Sequence, residues 1–146
     1  MDETGIDQFL YKEYGWAKKG EKIMAKISGK KFERQSIVAA KCGENILAPF
    51  GYYGTCNAKL FNMWIEKILI PSLKPGQIVI MDNASIHKTK TTQDLINKAQ
   101  CELLFLPPYS PDLNPIEHVW ANMKKNLRSD LHKFSSLQNA LIAYFS

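Results

Sequence analysis

The sequence has few of the features that mark zinc-binding, disulfide-stabilised or membrane-spanning proteins. Its three cysteines, Cys42, Cys56 and Cys101, are too widely spaced for a C-x-x-C metal pattern, and their odd number does not fit a full disulfide framework. No apolar run approaches the ~18 residues of a membrane span, and the N-terminus has no basic-then-apolar signal peptide. We therefore expect a soluble intracellular chain without a membrane partner.

Length and charge set the next limits. A chain of 146 residues that is 45% hydrophobic can bury one sizeable core but not two, so we expect a single domain over residues 1–146. The net charge of +5 is modest and indicates an anionic partner only where basic residues cluster. One such cluster lies between Lys18 and Arg34, although a solvated hairpin rim explains it equally well.

Two short apolar runs in the second half of the chain predict strands. The run from Ile78 to Met81 favours a strand that is buried on both faces, with Asp82 at its carboxyl end. The run over residues 103–106 ends at Pro107, which has no N–H to offer to a sheet. In open α/β sheets the carboxyl end of a strand is a common place for an active site, but ordinary turns also occur there.

Residue periodicity predicts the other elements. Residues 35–41 and 46–53 are predicted as strands that form an antiparallel meander with a strand beginning at Asp2. Helical spacing of apolar residues predicts helices over 57–70, 91–99, 115–127 and from Ser135 or Ser136 to Tyr144. A right-handed crossover would place strand 78–81 parallel to and beside the first strand, so that Asp2 and Asp82 face each other.

Glu117 falls in the first turn of one predicted helix. In Asn114-Pro115-Ile116-Glu117 the asparagine suits the N-cap position, the proline N1 and the glutamate N3. The same spacing fits a capping box, in which the Glu117 carboxylate accepts a hydrogen bond from the N-cap amide. On spacing alone the capping box is the favoured interpretation of this acid.

The order of these features is more specific than either acid alone. A strand, Asp82-Asn83, a helix-length spacer and a second strand precede the segment P-P-Y-S-P-D-L-N-P-I-E and a helix. This order resembles the DDE endonuclease domain of the mariner superfamily of transposases, in its bacterial insertion-sequence branch. The resemblance implies an α/β, ribonuclease H-like fold, with a mixed five-stranded sheet flanked by helices.

The resemblance extends upstream to the start of the chain. Asp2-Glu3-Thr4-Gly5 is similar to the family's first-acid motif, and Tyr14-Gly15-Trp16 is similar to the turn that follows it. The family places its first aspartate after several apolar residues of a strand, whereas only Met1 precedes Asp2 here. The domain is therefore expected to be truncated at its N-terminus, and any cleavage by this chain alone is expected to be weak.

The resemblance also implies a chemistry. It assigns Asp2, Asp82 and Glu117 as the catalytic and metal-binding acids, and carboxylates are hard oxygen ligands that suit Mg²⁺ or Mn²⁺. It implies two metal ions, cleavage and transfer of strands of double-stranded DNA, a homodimer in the DNA complex and a place near the bacterial nucleoid. Two alternatives stay open, a hydrolytic ribonuclease H-like nuclease or resolvase and a truncated DNA-binding remnant without activity.

Four further residues are candidate DNA contacts. Lys124 and Arg128 follow Glu117 at i+7 and i+11 on one helix face, although a solvated helix end accounts for them equally well. His87 and Lys88 lie close to Asp82 in the sequence, and His87 is predicted as a hydrogen-bonding or DNA-facing residue rather than a metal ligand. No helix-turn-helix signal precedes Asp2, so we expect phosphate binding with little sequence preference.

Overall fold

A computed structural model describes residues 1–6 and 35–146 of the chain. The predicted Tyr14-Gly15-Trp16 turn and the basic cluster between Lys18 and Arg34 lie outside the described residues. Within the described ranges the order of elements is that of an α/β protein. The strands are β1 (Asp2–Ile6), β2 (Gln35–Cys42), β3 (Asn45–Tyr53), β4 (Ile78–Met81) and β5 (Glu102–Phe105), and the helices are α1 (Ala58–Trp64), α2 (Lys90–Lys98), α3 (Ile116–Asp130) and α4 (Leu137–Phe145).

Side-chain caps begin three of the helices close to the predicted positions. Asn57 Oδ1 accepts a hydrogen bond from the amide of Leu60 at 2.8 Å, and α1 then continues through a π-helical turn, Ile65–Leu69, and a 3-10 turn. Thr89 and Ser136 cap α2 and α4 in the same way. These caps satisfy amide groups that have no partner inside the helix, which is why the signal is readable from sequence.

The strands form two hydrogen-bonded ladders. β1, β2 and β3 make the predicted antiparallel meander, and β4 pairs with β5 in parallel, with Ile80 opposite Leu104. In the described part of the chain no ladder joins β1 to β4, so a single five-stranded sheet is not seen. The two sheets approach each other where the Met1 nitrogen donates to the carbonyl oxygen of Ile80 at 2.7 Å.

Two apolar cores pack on opposite sides of β2. Val38 belongs to the core made with α1, β4 and α2, whereas its neighbours Ile37 and Ala39 belong to the core made with β1, α3 and α4. This alternation follows from the two-residue period of a strand. The central position of β2 explains why residues 35–40 are all buried.

The burial predicted for β4 is wrong. Val79 and Met81 are buried against α1 and α2, but Ile78 and Ile80 on the other face are 57% and 39% exposed. The apolar run predicted burial on both faces, but the elements that the structure describes cover only one face of β4. None of the described helices is long and apolar enough to cross a membrane.

Candidate active site

The three predicted acids come from three separate elements. Asp2 begins β1, Asp82 directly follows β4, and Glu117 lies in the first turn of α3. The carboxyl groups of Asp2 and Glu117 are within hydrogen-bonding reach of each other, although the two residues are far apart in sequence. Asp2 is only 7% exposed, and its Oδ1 accepts a hydrogen bond from the amide of Glu3 at 2.8 Å. Tertiary packing thus brings two of the three acids into contact.

The predicted capping box is absent. The N-cap position of α3 is occupied by Pro115 without a side-chain hydrogen bond. Asn114 is buried, and its Nδ2 donates to the carbonyl oxygen of Met1 at 3.5 Å. The amide of Glu117 donates to the Asn114 carbonyl oxygen at 3.1 Å, while the Glu117 carboxyl meets Asp2. Asn114 and Glu117 therefore attach the start of α3 to the start of β1 and do not cap the helix.

The contact between Asp2 and Glu117 is unfavourable when both groups are charged. Burial, followed by the neighbouring carboxyl of Glu117, raises the pKa of Asp2 well above its ordinary value. Two carboxylates that share a site resist joint ionisation, because each disfavours the charged form of the other. A cation bound between them would remove that repulsion.

Asp82 has the opposite kind of neighbour. Its Oδ1 accepts from the amide of Ala84 at 3.0 Å and lies 2.6 Å from Nδ1 of His87, a close ion-pair contact in which the N–H is poorly aligned with the oxygen. The other ring nitrogen, Nε2, lies 3.1 and 3.0 Å from the two carboxylate oxygens of Glu3. The imidazole of His87 thus bridges a carboxylate on β1 and the carboxylate that follows β4.

These contacts determine the charge on His87. Burial alone would lower the pKa of His87, but the carboxylates of Asp82 and Glu3 raise it to about 9. The contact with His87, together with the Ala84 amide, holds the pKa of Asp82 below its usual value although partial burial acts in the other direction. A neutral imidazole has a single N–H, so two carboxylate neighbours favour the doubly protonated ring.

Asp82 and Glu117 line one cleft of about 400 Å³. The loop between β5 and α3 forms a further wall, and its Tyr109 is fully exposed with a φ of 56°. Asp2 does not line this cleft, but its carboxyl group lies beside that of Glu117, which does. The arrangement places carboxylate oxygens of two elements around a space that is open to solvent.

The predicted DNA contacts fare differently. His87 is fully buried, which contradicts the DNA-facing alternative, and its Nε2 lies within hydrogen-bonding distance of Glu3, as the hydrogen-bonding alternative predicted. Lys88 and Arg128 are exposed and Lys124 is partly buried, and their contacts with DNA stay predictions. Sequence reasoning missed Glu3, although strand alternation was a usable signal: Glu3 follows Asp2 on β1, so its side chain lies on the other face and reaches His87.

The residues of the cleft suit a hard divalent cation. Among residues 1–6 and 35–146, no three His, Cys, Asp or Glu side chains are grouped as a ready metal site. Even so, Asp2, Asp82 and Glu117 offer only carboxylate oxygens, the donors that Mg²⁺ and Mn²⁺ prefer. The contact between Asp2 and Glu117 is the part of the site that such a cation would stabilise.

Comparison with known proteins identifies the class. Residues 1–140 match the family described as "DDE superfamily endonuclease", so the chain belongs to that family. A curated relative, the transposable element Tcb2 transposase of Caenorhabditis briggsae, is 35% identical over 63 residues, which are 40% of this chain and 23% of the relative. The family predicted from the motif order is thereby confirmed. Its bacterial branch stays a prediction.

Solved structures share the fold. The structure described as "Mos1 transposase paired-end complex with left transposon end" matches 99% of this chain and 46% of its own, with a TM-score of 0.72 and 19% identity. "Crystal structure of the Mos1 mariner paired end complex with Mn" matches the same shares, with a TM-score of 0.72 and 21% identity. The chain thus spans less than half the length of these neighbours. At this identity the likeness concerns the fold, and it agrees with the predicted ribonuclease H-like class.

Proposed function

We propose that this chain is the catalytic domain of a transposase, which cleaves and joins DNA strands by metal-dependent phosphoryl transfer. The observation that carries the proposal is the contact between Asp2 and Glu117 beside the cleft that Asp82 also lines, in a chain of the DDE endonuclease family. Two acids lie in contact, and the third lines the same cleft as one of them. Such a concentration of negative charge is useful for binding cations and a phosphate group.

Asp2, Asp82 and Glu117 are the residues that would hold the metal. Two bound Mg²⁺ or Mn²⁺ ions would supply activation of an attacking oxygen and stabilisation of the leaving oxygen for an in-line displacement at phosphorus. Asp2 and Glu117 would bind as a pair, since they already lie in contact. Asp82 would bind from the β4 side, where His87 and the Ala84 amide hold its carboxylate. The Mos1 mariner paired-end complex with Mn, a solved neighbour, supports this metal class.

The proposed partner is double-stranded DNA, in particular a transposon end. Two solved neighbours are paired-end complexes, one of them with the left transposon end. By that analogy we propose that two copies of the chain act together on DNA. We also propose that the two ladders form one mixed sheet of order β3-β2-β1-β4-β5. The hydrogen bond from the Met1 nitrogen to the Ile80 carbonyl supports β1 and β4 as neighbours.

The direct test is a cleavage assay with the 146-residue chain, a labelled duplex and saturating Mn²⁺. We expect Mn²⁺-dependent cleavage by the unchanged chain and background levels for Asp82→Asn and Glu117→Gln, because each change removes a carboxylate ligand. Glu102→Gln is the matched control, since Glu102 is an exposed glutamate on β5 outside the cleft lining.

The products separate the proposed function from its nearest alternative. A transposase yields joined DNA in addition to cut DNA, whereas a hydrolytic nuclease yields cut DNA alone. Cleavage at the unchanged rate by both acid variants would contradict the assignment of the catalytic acids. A well-folded chain that binds neither Mn²⁺ nor DNA would contradict the proposed function as a whole.

A further inference from the structure

His87 occupies a fixed position next to a catalytic acid. It ends the 3-10 turn Ser85–His87, which begins three residues after Asp82. Its ring is fully buried and packs on Phe61 of α1, with ring centroids 4.3 Å apart and an interplanar angle of 34°. Phe61 is itself completely buried. The imidazole therefore has little freedom to rotate or move.

The two ring nitrogens connect two strands. Nε2 lies 3.0 Å from a carboxylate oxygen of Glu3 on β1, and Nδ1 lies 2.6 Å from Oδ1 of Asp82 after β4. Among the described residues, no strand ladder joins β1 to β4. The bridge Glu3–His87–Asp82 is therefore a direct side-chain link between the strand that begins with Asp2 and the strand that Asp82 follows.

The bridge holds Asp82 by one edge. The Ala84 amide and His87 both contact the same oxygen, Oδ1, and 46% of the Asp82 side chain remains exposed. The carboxylate is thus restrained on its protein side while it lines the cleft. A ligand carboxylate held in this way is oriented before a metal binds, which lowers the entropy lost on binding.

We propose that His87 is a positioning residue, whose buried imidazole contacts Asp82 directly and so sets the orientation of the Asp82 carboxylate. The metal-binding consequence of this assignment rests on the proposed function. The positional part does not, because it concerns side chains in the metal-free protein. Loss of the contact between His87 and Asp82 should release the carboxylate, whereas loss of the contact with Glu3 should leave it in place.

Two substitutions separate the contacts. His87→Asn puts an amide near the position of Nδ1 and keeps a partner for Asp82. His87→Gln puts an amide near the position of Nε2, so it keeps a partner for Glu3 and gives up the contact with Asp82. Both replace the ring with an uncharged amide and lose the packing on Phe61, so each serves as the control for the other.

The experiment measures three quantities for the unchanged chain, His87→Asn and His87→Gln. These are the conformation of Asp82 in metal-free crystal structures, the Mn²⁺ dissociation constant by electron paramagnetic resonance, and the melting temperature. We expect Asp82 to turn away in His87→Gln alone, with Mn²⁺ affinity lower by about 10- to 100-fold, the usual effect of losing a group that orients a metal ligand. The two variants should melt at similar temperatures.

The outcomes distinguish this inference from the proposed function. An unchanged Asp82 conformation in His87→Gln, or equal Mn²⁺ affinity in the two variants, would overturn the positioning role. A displaced Asp82 in a protein whose unchanged form binds no Mn²⁺ would support the positioning role and contradict the proposed function. If both variants unfold, Glu3→Ala is compared with the unchanged chain. Asp82 that keeps its conformation and its contact with His87 supports the assignment, and Asp82 that is displaced while the His87 ring stays in place overturns it.

Discussion

On the α3 side of the cleft Glu117 contacts another acid, Asp2, whereas on the β4 side Asp82 contacts a base, His87. Both sides present a carboxylate to the same space, but their charge balance is opposite. In the pair Asp2–Glu117 two carboxyl groups meet, whereas in the cluster Glu3–His87–Asp82 an imidazole lies between two carboxylates. Without a metal, Asp2 and Glu117 repel each other when both are charged, whereas the contact between Asp82 and His87 is attractive.

The difference separates two tasks. A buried imidazole between two carboxylates, as at His87, would restrain one ligand before any metal binds. Under the proposed function the two adjacent acids, Asp2 and Glu117, are the main metal-binding element, because a divalent ion would relieve their mutual repulsion. A site built from both kinds of element combines a fixed ligand with a strong preference for cations.

The largest expected difference between the two sides of the cleft appears when one acid on each side is neutralised. Without metal at pH 7, Glu117→Gln should raise the free energy of unfolding by about 1 kcal/mol, because an amide can donate a hydrogen bond to Asp2 where two acids opposed each other. Asp82→Asn should lower it by about 1 kcal/mol, since the change weakens the contact with His87 and the half-exposed position limits the loss. Urea unfolding in a chelator buffer measures both values.

Glu102→Gln is the control for these two variants and should leave the free energy of unfolding within about 0.5 kcal/mol of its original value, as for an ordinary surface change. If Asp82→Asn and Glu117→Gln change the free energy of unfolding in the same direction, the contact of Glu117 is not repulsive while that of Asp82 is attractive.

A second test compares the basic residues of the two sides. Replacing Lys124 and Arg128 on α3 together by alanine should flatten the slope of log affinity against log salt by about two units if both neutralise phosphates of B-form DNA. Lys88→Ala on the β4 side should flatten it by about 0.9. A binding titration over a range of roughly 50 to 200 mM salt measures the slope for each variant.

Lys74→Ala with Lys98→Ala is the charge-matched control for that titration. Lys74 precedes β4 and Lys98 ends α2, so both lie toward the amino ends of β4 and β5, away from Asp82. The control should leave the salt slope unchanged. An unaltered slope in the double variant of Lys124 and Arg128 would show that these residues do not contact phosphates and belong to a solvated helix end.

The smallest expected effect is on sequence preference. Lysine and arginine contacts to phosphates position a protein but carry little sequence information, on either side of the cleft. We expect the chain to bind a transposon-end duplex and a scrambled duplex with affinities within about tenfold, compared with the roughly 10³-fold or greater preference of specific binders. Competition binding at one salt concentration measures the ratio, and a large preference would reveal a base-reading element within the chain.

Much of the fold was predictable because its signals are local. Asn57, Thr89 and Ser136 cap helices near the expected residues, and the runs before Asp82 and Pro107 form strands β4 and β5. The exposure of Ile78 and Ile80 was not predictable, since it depends on which elements cover β4. An apolar run indicates that a strand can be buried on both faces but not that it is.

The candidate site was predictable only in part. The order of motifs pointed to Asp2, Asp82 and Glu117, but the same spacing at Asn114 and Glu117 also favoured a capping box. Packing decided between the two, because Asn114 bonds to the Met1 carbonyl and Glu117 meets Asp2. Similarly, the sequence leaves His87 open between a hydrogen-bonding and a DNA-facing role, because its burial between two carboxylates depends on a contact with the distant Glu3.

Most of the helices and strands, and the caps at Asn57, Thr89 and Ser136, could be predicted from the sequence alone, because each follows from residues within a few positions of one another. Which group each acid contacts depends on the tertiary packing. Glu3 and His87 are 84 residues apart, and Asn114 and Met1 are 113 apart. Contacts at such separations arise from the packing of β1 against β4 and α3, so no local pattern can specify them. They place an imidazole next to Asp82 and a second carboxyl group next to Glu117.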